Sequence, residues 1–145
     1  MSTTLRLWAL SDTHVGTDIK FGRRSLEDVI QHAEGWPNGP GQSGGFDIAL
    51  NLGDFSGSQL PPDDEEGELV VSQYASAKHH GREHFYDVIG NHDASGVGEP
   101  TQWWFKKWID PTGSNPEFSQ VDNSKRPYPA TGTWENYSFE VGNIV

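Results

Sequence analysis

Cysteine is absent from the 145 residues. That removes disulfides, thiolate metal sites and cysteine nucleophiles together, and leaves histidine, carboxylate and amide groups to carry any metal chemistry. Basic residues are scarce: 10 Lys and Arg stand against 21 Asp and Glu, for a formal net charge of −11 and a pI near 4.7. Such a surface does not favour wrapping a nucleic-acid backbone, which depends on cations neutralising phosphates, although bound metal ions can reverse the sign locally. No apolar run approaches membrane-spanning length, so no membrane partner is expected. Met1 to Arg6 lacks the basic stretch, apolar core and small-residue cleavage site of a signal peptide, and the default expectation is a cytoplasmic protein. The length fits one domain over 1–145, with room for a buried core.

The residues that are present are organised around the ends of strand-like runs. Leu5 to Leu10 is apolar apart from Arg6 and is bounded by Ser11-Asp12, which predicts a first buried strand. Asp12 and His14, two apart in extended chain, point to the same side just past its end. Ser25 opens a helix with Asp28 as a capping-box-like partner. Leu26, Val29, Ile30 and Ala33 follow at helical spacing, and Gly35 stops it. Gly35 to Gly45 is a loop by composition. It is not a phosphate-cradling one, because no Lys-Ser/Thr follows Gly44-Gly45. Phe46 to Leu52 predicts a second buried strand, ending at Gly53-Asp54. The order strand, helix, strand predicts a parallel sheet with a right-handed crossover.

The acidic run Asp63-Asp64-Glu65-Glu66 heads a helix expected over roughly Glu65 to Lys78, its charge favourable at a helix N-terminus, with His79 and His80 near the other end. Phe85 to Ile89 predicts a third buried strand, delivering Gly90-Asn91-His92-Asp93. His32, inside the first helix, and His84, at the entry to the third strand, read as structural. Glu99-Pro100 opens a short helix that puts Trp104 and Trp108 on one face. Residues 114–133 lack periodicity and, within a 95–133 loop or lid region, are expected to form a long ordered loop or lid beside the site. Tyr137, Phe139 and Val141 alternate with polar residues, and Gly142-Asn143 is a turn signal leading into Ile144-Val145. Residues 134–145 therefore read as the start of a hairpin, cut inside an element.

Open α/β sheets bind ligands outside the carboxyl ends of their strands, where Asp12, His14, Asp54, Asn91 and His92 all fall. A ligand set of oxygen and nitrogen without thiolate suits Mn, Fe or Zn. With Asp54 central, it could bridge two ions, Asp12 and His14 holding the first and Asn91 the second. Two ions about 3.5–4 Å apart suit in-line attack on phosphorus by a metal-held hydroxide. His92 would then protonate the leaving group or stabilise phosphoryl charge, with Asp93 orienting its ring.

Asp-x-His at Asp12 to His14, Gly-Asp at Gly53-Asp54 and Gly-Asn-His-Asp at Gly90 to Asp93 occur in this order, each at a strand exit. In this the chain resembles the calcineurin-like metallophosphoesterase superfamily, most closely over Leu5 to Asp93. The resemblance implies an α/β (α+β) fold, a β-sandwich of mixed sheets flanked by helices, here incomplete at the C-terminus. It implies a binuclear site with two divalent metal ions and hydrolysis of phosphate mono- or diesters, the partner being a small-molecule or other phosphoester substrate. By matching position, Asp12, His14, Asp54 and Asn91 are the implied metal ligands and His92 the implied catalytic histidine. Phe55-Ser56-Gly57 after Asp54 departs from the Val-Asp-Arg-Gly of the Ser/Thr protein phosphatase branch. The family supplies further histidines, including a Gly-His-x-His, from strands later than this chain reaches. Ala94 to Val145 contains no histidine, so the chain reads as an N-terminal portion. The competing expectation is a non-catalytic binding module, or a one-metal relative, presenting Trp103, Trp104 and Trp108 to a partner or ligand.

Overall fold

The computed structural model describes residues 4–18, 22, 24–35, 45–57, 60–142 and 144. The loop expected between Gly35 and Gly45 lies outside the described residues except at its two ends, as do Asn143 and Val145 of the expected terminal hairpin. Three strands, β1 (Leu7–Leu10), β2 (Ile48–Asn51) and β3 (Phe85–Asp87), form a parallel sheet in the order β1-β2-β3. Leu10 lies beside Asn51, and Asn51 beside Asp87, so the carboxyl ends of the strands stand in a row.

Helix α1 (Ser25–Ala33) joins β1 to β2, and α2 (Asp64–Tyr74) joins β2 to β3. The two helices pack on one face of the sheet. Leu26 and Ile30 from α1, Val70, Val71 and Tyr74 from α2, and Ala49 and Phe85 from the sheet share one apolar core with Phe55, Trp104, Phe105 and Ile109. Burying such side chains contributes roughly 1.5–3 kcal/mol each.

The helix starts differ from their sequence reading in an instructive way. Ser25 is the first residue of α1, not its cap. Arg24 occupies the cap position and offers no side-chain capping bond to the helix. The orphan N–H groups of the first turn are instead taken from a distance: Asp18 accepts from Ser25 N (2.8 Å), and Gln73 Oε1 accepts from Leu26 N (3.0 Å) and Glu27 N (3.1 Å). Gln73 belongs to α2, so the cap of one helix is supplied by the other. At α2 the acidic run acts as its position suggests, with Asp63 accepting from Glu66 N at 3.0 Å. That helix stops at Tyr74, however, so His79 and His80 lie past it. They are held there by Glu34, whose carboxylate accepts the N–H groups of Lys78, His79 and His80 at 2.8–3.0 Å.

The expectation that β1 is buried is corrected. Trp8 and Leu10 pack on the core, but Leu7 is 48 % exposed and Ala9 is exposed too. β1 pairs with β2 on one side only, and its second face is not covered among the described residues. Leu52 and Val88, just beyond β2 and β3, are likewise exposed.

After the third strand exit, Trp103 and Trp104 lead into a π-helical segment, Phe105–Ile109. Trp104 and Trp108 are both buried on the core side, as their spacing predicts. Gly67 on α2 provides the seat for Trp108: a Cβ there would lie 2.3 Å from the indole. Residues 114–133 are not featureless. They contain α3 (Pro116–Ser119) and a 3-10 turn, Asn123–Lys125. The expected lid is also placed elsewhere. Buried Arg126 donates to the carbonyls of Phe85 (2.7 Å), Glu83 (3.3 Å) and Pro111 (3.0 Å), which ties this segment to the entry of β3 rather than to the strand exits. A small antiparallel pair follows, β4 (Thr131–Gly132) with β5 (Tyr137–Ser138), and Val141 bridges to Ile144.

Candidate metal centre

The three strand exits meet through their backbones. Asp12 N donates to Gly53 O (3.0 Å), His14 N to Asp54 O (3.1 Å), Val15 N to Phe55 O (2.7 Å) and Gly57 N to Val15 O (2.9 Å). The first two exits thus run on side by side after the sheet has ended. Asp12 (φ 55°), His14 (φ 46°) and Asp54 (φ 58°) all adopt the left-handed conformation. For residues other than glycine that conformation costs about 1–2 kcal/mol each, and such strain collects where surrounding structure over-determines a functional geometry.

Glycine at two positions lets the exits close on each other. A Cβ on Gly90 would stand 2.1 Å from Asp54 Oδ1 and 2.2 Å from Asp54 N, and one on Gly57 would stand 2.6 Å from His14 O. Neither contact can be relieved by turning a flexible side chain, because each involves backbone.

The result is that His14, Asp54 and His92, each half-buried, bring one ligand atom apiece to within 4.8 Å of one another. The rings of His14 and His92 stand edge to face, centroids 4.6 Å apart. Asp54 Oδ1 accepts the backbone N–H of His92 at 3.0 Å, which couples the second exit to the third. Asp12 lies beside this group: its Oδ1 is 3.7 Å from His14 Nε2, its Oδ2 accepts from Ser11 Oγ at 2.5 Å, and its side chain is 64 % exposed. Asn91 is exposed on the third exit. The His14 imidazole and the Asp54 carboxylate, with the His92 ring beside them and no thiolate, are a donor set that can hold a divalent metal ion.

The expectation that Asp93 orients the ring of His92 is corrected. Asp93 is fully buried, and its two oxygens accept four backbone N–H groups: Phe55 (2.8 Å), Gly90 (2.8 Å), Asp54 (3.0 Å) and Ser56 (3.1 Å). Burial pushes its carboxyl above the ordinary value, while these four donors pull the other way. Asp93 therefore clamps the second exit to the third. Three of its donors come from residues some forty positions upstream, a contact that no local pattern around Gly90 to Asp93 could reveal.

The binding-module expectation loses its surface here, since Trp104 and Trp108 are buried and only Trp103 of the three is exposed, at 39 %. Among the described residues no helix is long and apolar enough to cross a membrane.

A parallel sheet with this candidate metal-holding group at its strand exits defines an α/β architecture. A family model described as calcineurin-like phosphoesterase matches residues 5–143, and the chain belongs to that family. Its members are phosphoesterases that typically bind divalent metal ions. No curated protein and no solved structure matched the chain.

Proposed function

We propose that this protein hydrolyses phosphate mono- or diesters at the exits of β1, β2 and β3, with two divalent ions held by Asp12, His14, Asp54 and Asn91. The observation that carries the reading is the approach of His14, Asp54 and His92 to within 4.8 Å on three adjacent exits, in a chain of a phosphoesterase family. Ions bound there would supply Lewis acidity toward phosphoryl oxygens and lower the pKa of water. The chain's own residues do the rest. Asp54 holds the central place between two exits, His92 presents a ring nitrogen to protonate the leaving oxygen, and Asp93 keeps both loops in position. Mn, Fe and Zn all suit the donors.

The sandwich implied by the family is proposed on the same footing. Leu7 on the sheet face opposite the helices, and Leu52 and Val88 just beyond the ends of β2 and β3, are exposed apolar side chains of the kind a second sheet would cover. Residues 1–145 are one unit in this reading, because the described residues share the core given above.

The test is hydrolysis of an aryl phosphate monoester and a diaryl phosphodiester with added Mn²⁺. Turnover is expected to depend on the ion and to fall at least a hundredfold in Asp54→Ala. Undiminished turnover by metal-stripped Asp54→Ala protein would overturn the reading.

A further inference from the structure

We propose that Tyr74 is a positioning residue for the turn that carries Asp54, acting through Asn51 from beneath the sheet. The importance of that turn rests on the function proposed above. The geometry itself does not.

Four buried polar side chains form one continuous path. Gly53 N donates to Asn51 Oδ1 (3.3 Å), Asn51 Nδ2 donates to the Tyr74 hydroxyl (3.2 Å), and that hydroxyl donates to Asp87 Oδ1 (2.8 Å). Asp87 Oδ2 pairs with Arg82 Nη2 at 2.6 Å, and the Arg82 guanidinium lies over the Tyr74 ring, 4.1 Å from its centroid. Arg82 is anchored in turn by donating to Ile109 O at 2.9 Å. Asn51 and Asp87 are fully buried, Tyr74 is 2 % exposed and Arg82 7 %.

A buried ion pair is weak evidence for stability, because desolvation offsets most of its attraction. A reason for this one lies in what it terminates on. Asn51 and Asp87 are the last residues of β2 and β3, adjacent in register. Two residues beyond Asn51 is the buried N–H of Gly53, and the next residue is Asp54. The Tyr74 hydroxyl is the only group in the path that touches both strand ends. Burial, and after it the nearby Asp87 carboxylate, push this hydroxyl well above the ordinary tyrosine range, so it remains a donor toward Asp87 and leaves a lone pair for Asn51. The direction of the Asn51 amide, with its oxygen toward Gly53, follows from that arrangement.

Removal of the hydroxyl distinguishes positioning from mere packing. Tyr74→Phe keeps the ring and removes the link. Tyr86→Phe is the control, because Tyr86 also has a buried ring and bonds its hydroxyl to the Tyr128 carbonyl (2.6 Å) and N–H (3.1 Å), away from the strand exits. Two readouts are taken on each folded protein: amide hydrogen exchange at Gly53 relative to Ala49 in mid-β2, measured without metal, and Mn²⁺ affinity by calorimetry. In Tyr74→Phe the Gly53 exchange ratio is expected to rise at least tenfold over the control, and Mn²⁺ binding to weaken about tenfold, the lower end of what supporting residues of metal ligands contribute. Equal exchange ratios and equal affinities in the two variants would overturn the proposal. If the unsubstituted protein takes up no Mn²⁺, the metal-site reading fails and the Gly53 ratio alone decides the positioning role. If Tyr74→Phe does not fold, Asn51→Ala cuts the same path next to Gly53 and is judged by the same ratio.

Discussion

The strand exits and the segment after Ser95 are held together by opposite means. At the exits, backbone meets backbone: Gly53 and Asp54 carbonyls accept from Asp12 and His14, and a single buried carboxylate, Asp93, gathers four N–H groups. After Ser95, side chains carry the contacts. Trp104 Nε1 donates to Asp63 O (2.6 Å) and Trp108 Nε1 to Asp64 Oδ1 (2.8 Å), while Trp108 stands edge to face with Phe118 and Lys107 lies over both rings. Backbone contacts leave no freedom to absorb an extra methyl group. Side-chain contacts can shift by a rotamer. The first arrangement fixes where His14, Asp54 and His92 stand, and the second supports the helical layer behind them.

The largest effect is expected where a methyl group is forced between backbones. Gly90→Ala would set its Cβ against Asp54 N and Oδ1 and should cost about 3 kcal/mol or more, seen in urea unfolding, together with loss of metal binding. Asp93→Asn should follow at about 2 kcal/mol. The amide has one oxygen where four N–H groups need two, so at least one buried donor is left without a partner. Its Mn²⁺ affinity, measured by calorimetry, should fall as well.

Gly67→Ala probes the other region. The Cβ would meet the Trp108 indole, yet alanine favours a helix over glycine by about 1 kcal/mol, so a net loss of about 1–2 kcal/mol is expected. Mn²⁺ affinity should be unchanged within twofold. A loss of affinity as large as that of Gly90→Ala would erase the contrast between the regions.

The smallest effect is expected at Glu34, which gathers backbone N–H groups as Asp93 does but far from the exits. Burial alone would raise its carboxyl, but the N–H of Lys78, the His80 ring and the N–H groups of His79 and His80 outweigh it and hold it below the ordinary value of 4.5. A depressed pKa in the folded state contributes stability above the unfolded value that is lost as pH falls through the folded one. Glu34→Gln should therefore cost about 1 kcal/mol at neutral pH, and the difference from the unsubstituted protein should close below pH 4.5 in thermal melts. A difference that persists unchanged in acid would contradict this account of Glu34.

The contrast also explains what could be read from residues alone. The parallel sheet and the three polar exits were legible, because apolar runs ending in Asp12-x-His14, Gly53-Asp54 and Gly90 to Asp93 are local patterns. Trp104 and Trp108 on one face were legible for the same reason. The clamp by Asp93 was not, since its partners lie near Phe55 in space and not in sequence. The cap on α1 from Gln73 was hidden in the same way, and so was the seat for Trp108 on Gly67. β1 looked buried because its composition is apolar, but composition does not say whether a second layer covers both faces.

In the function proposed here, the three exits together make a metal site with Asp54 at its centre. Calorimetric titration of Mn²⁺ into the unsubstituted protein and into Asp54→Ala tests it most directly. Saturable binding is expected in the first and affinity at least a hundredfold weaker in the second, with thermal stability of the metal-free proteins within a few degrees of each other. Equal Mn²⁺ affinity in the two proteins would contradict it.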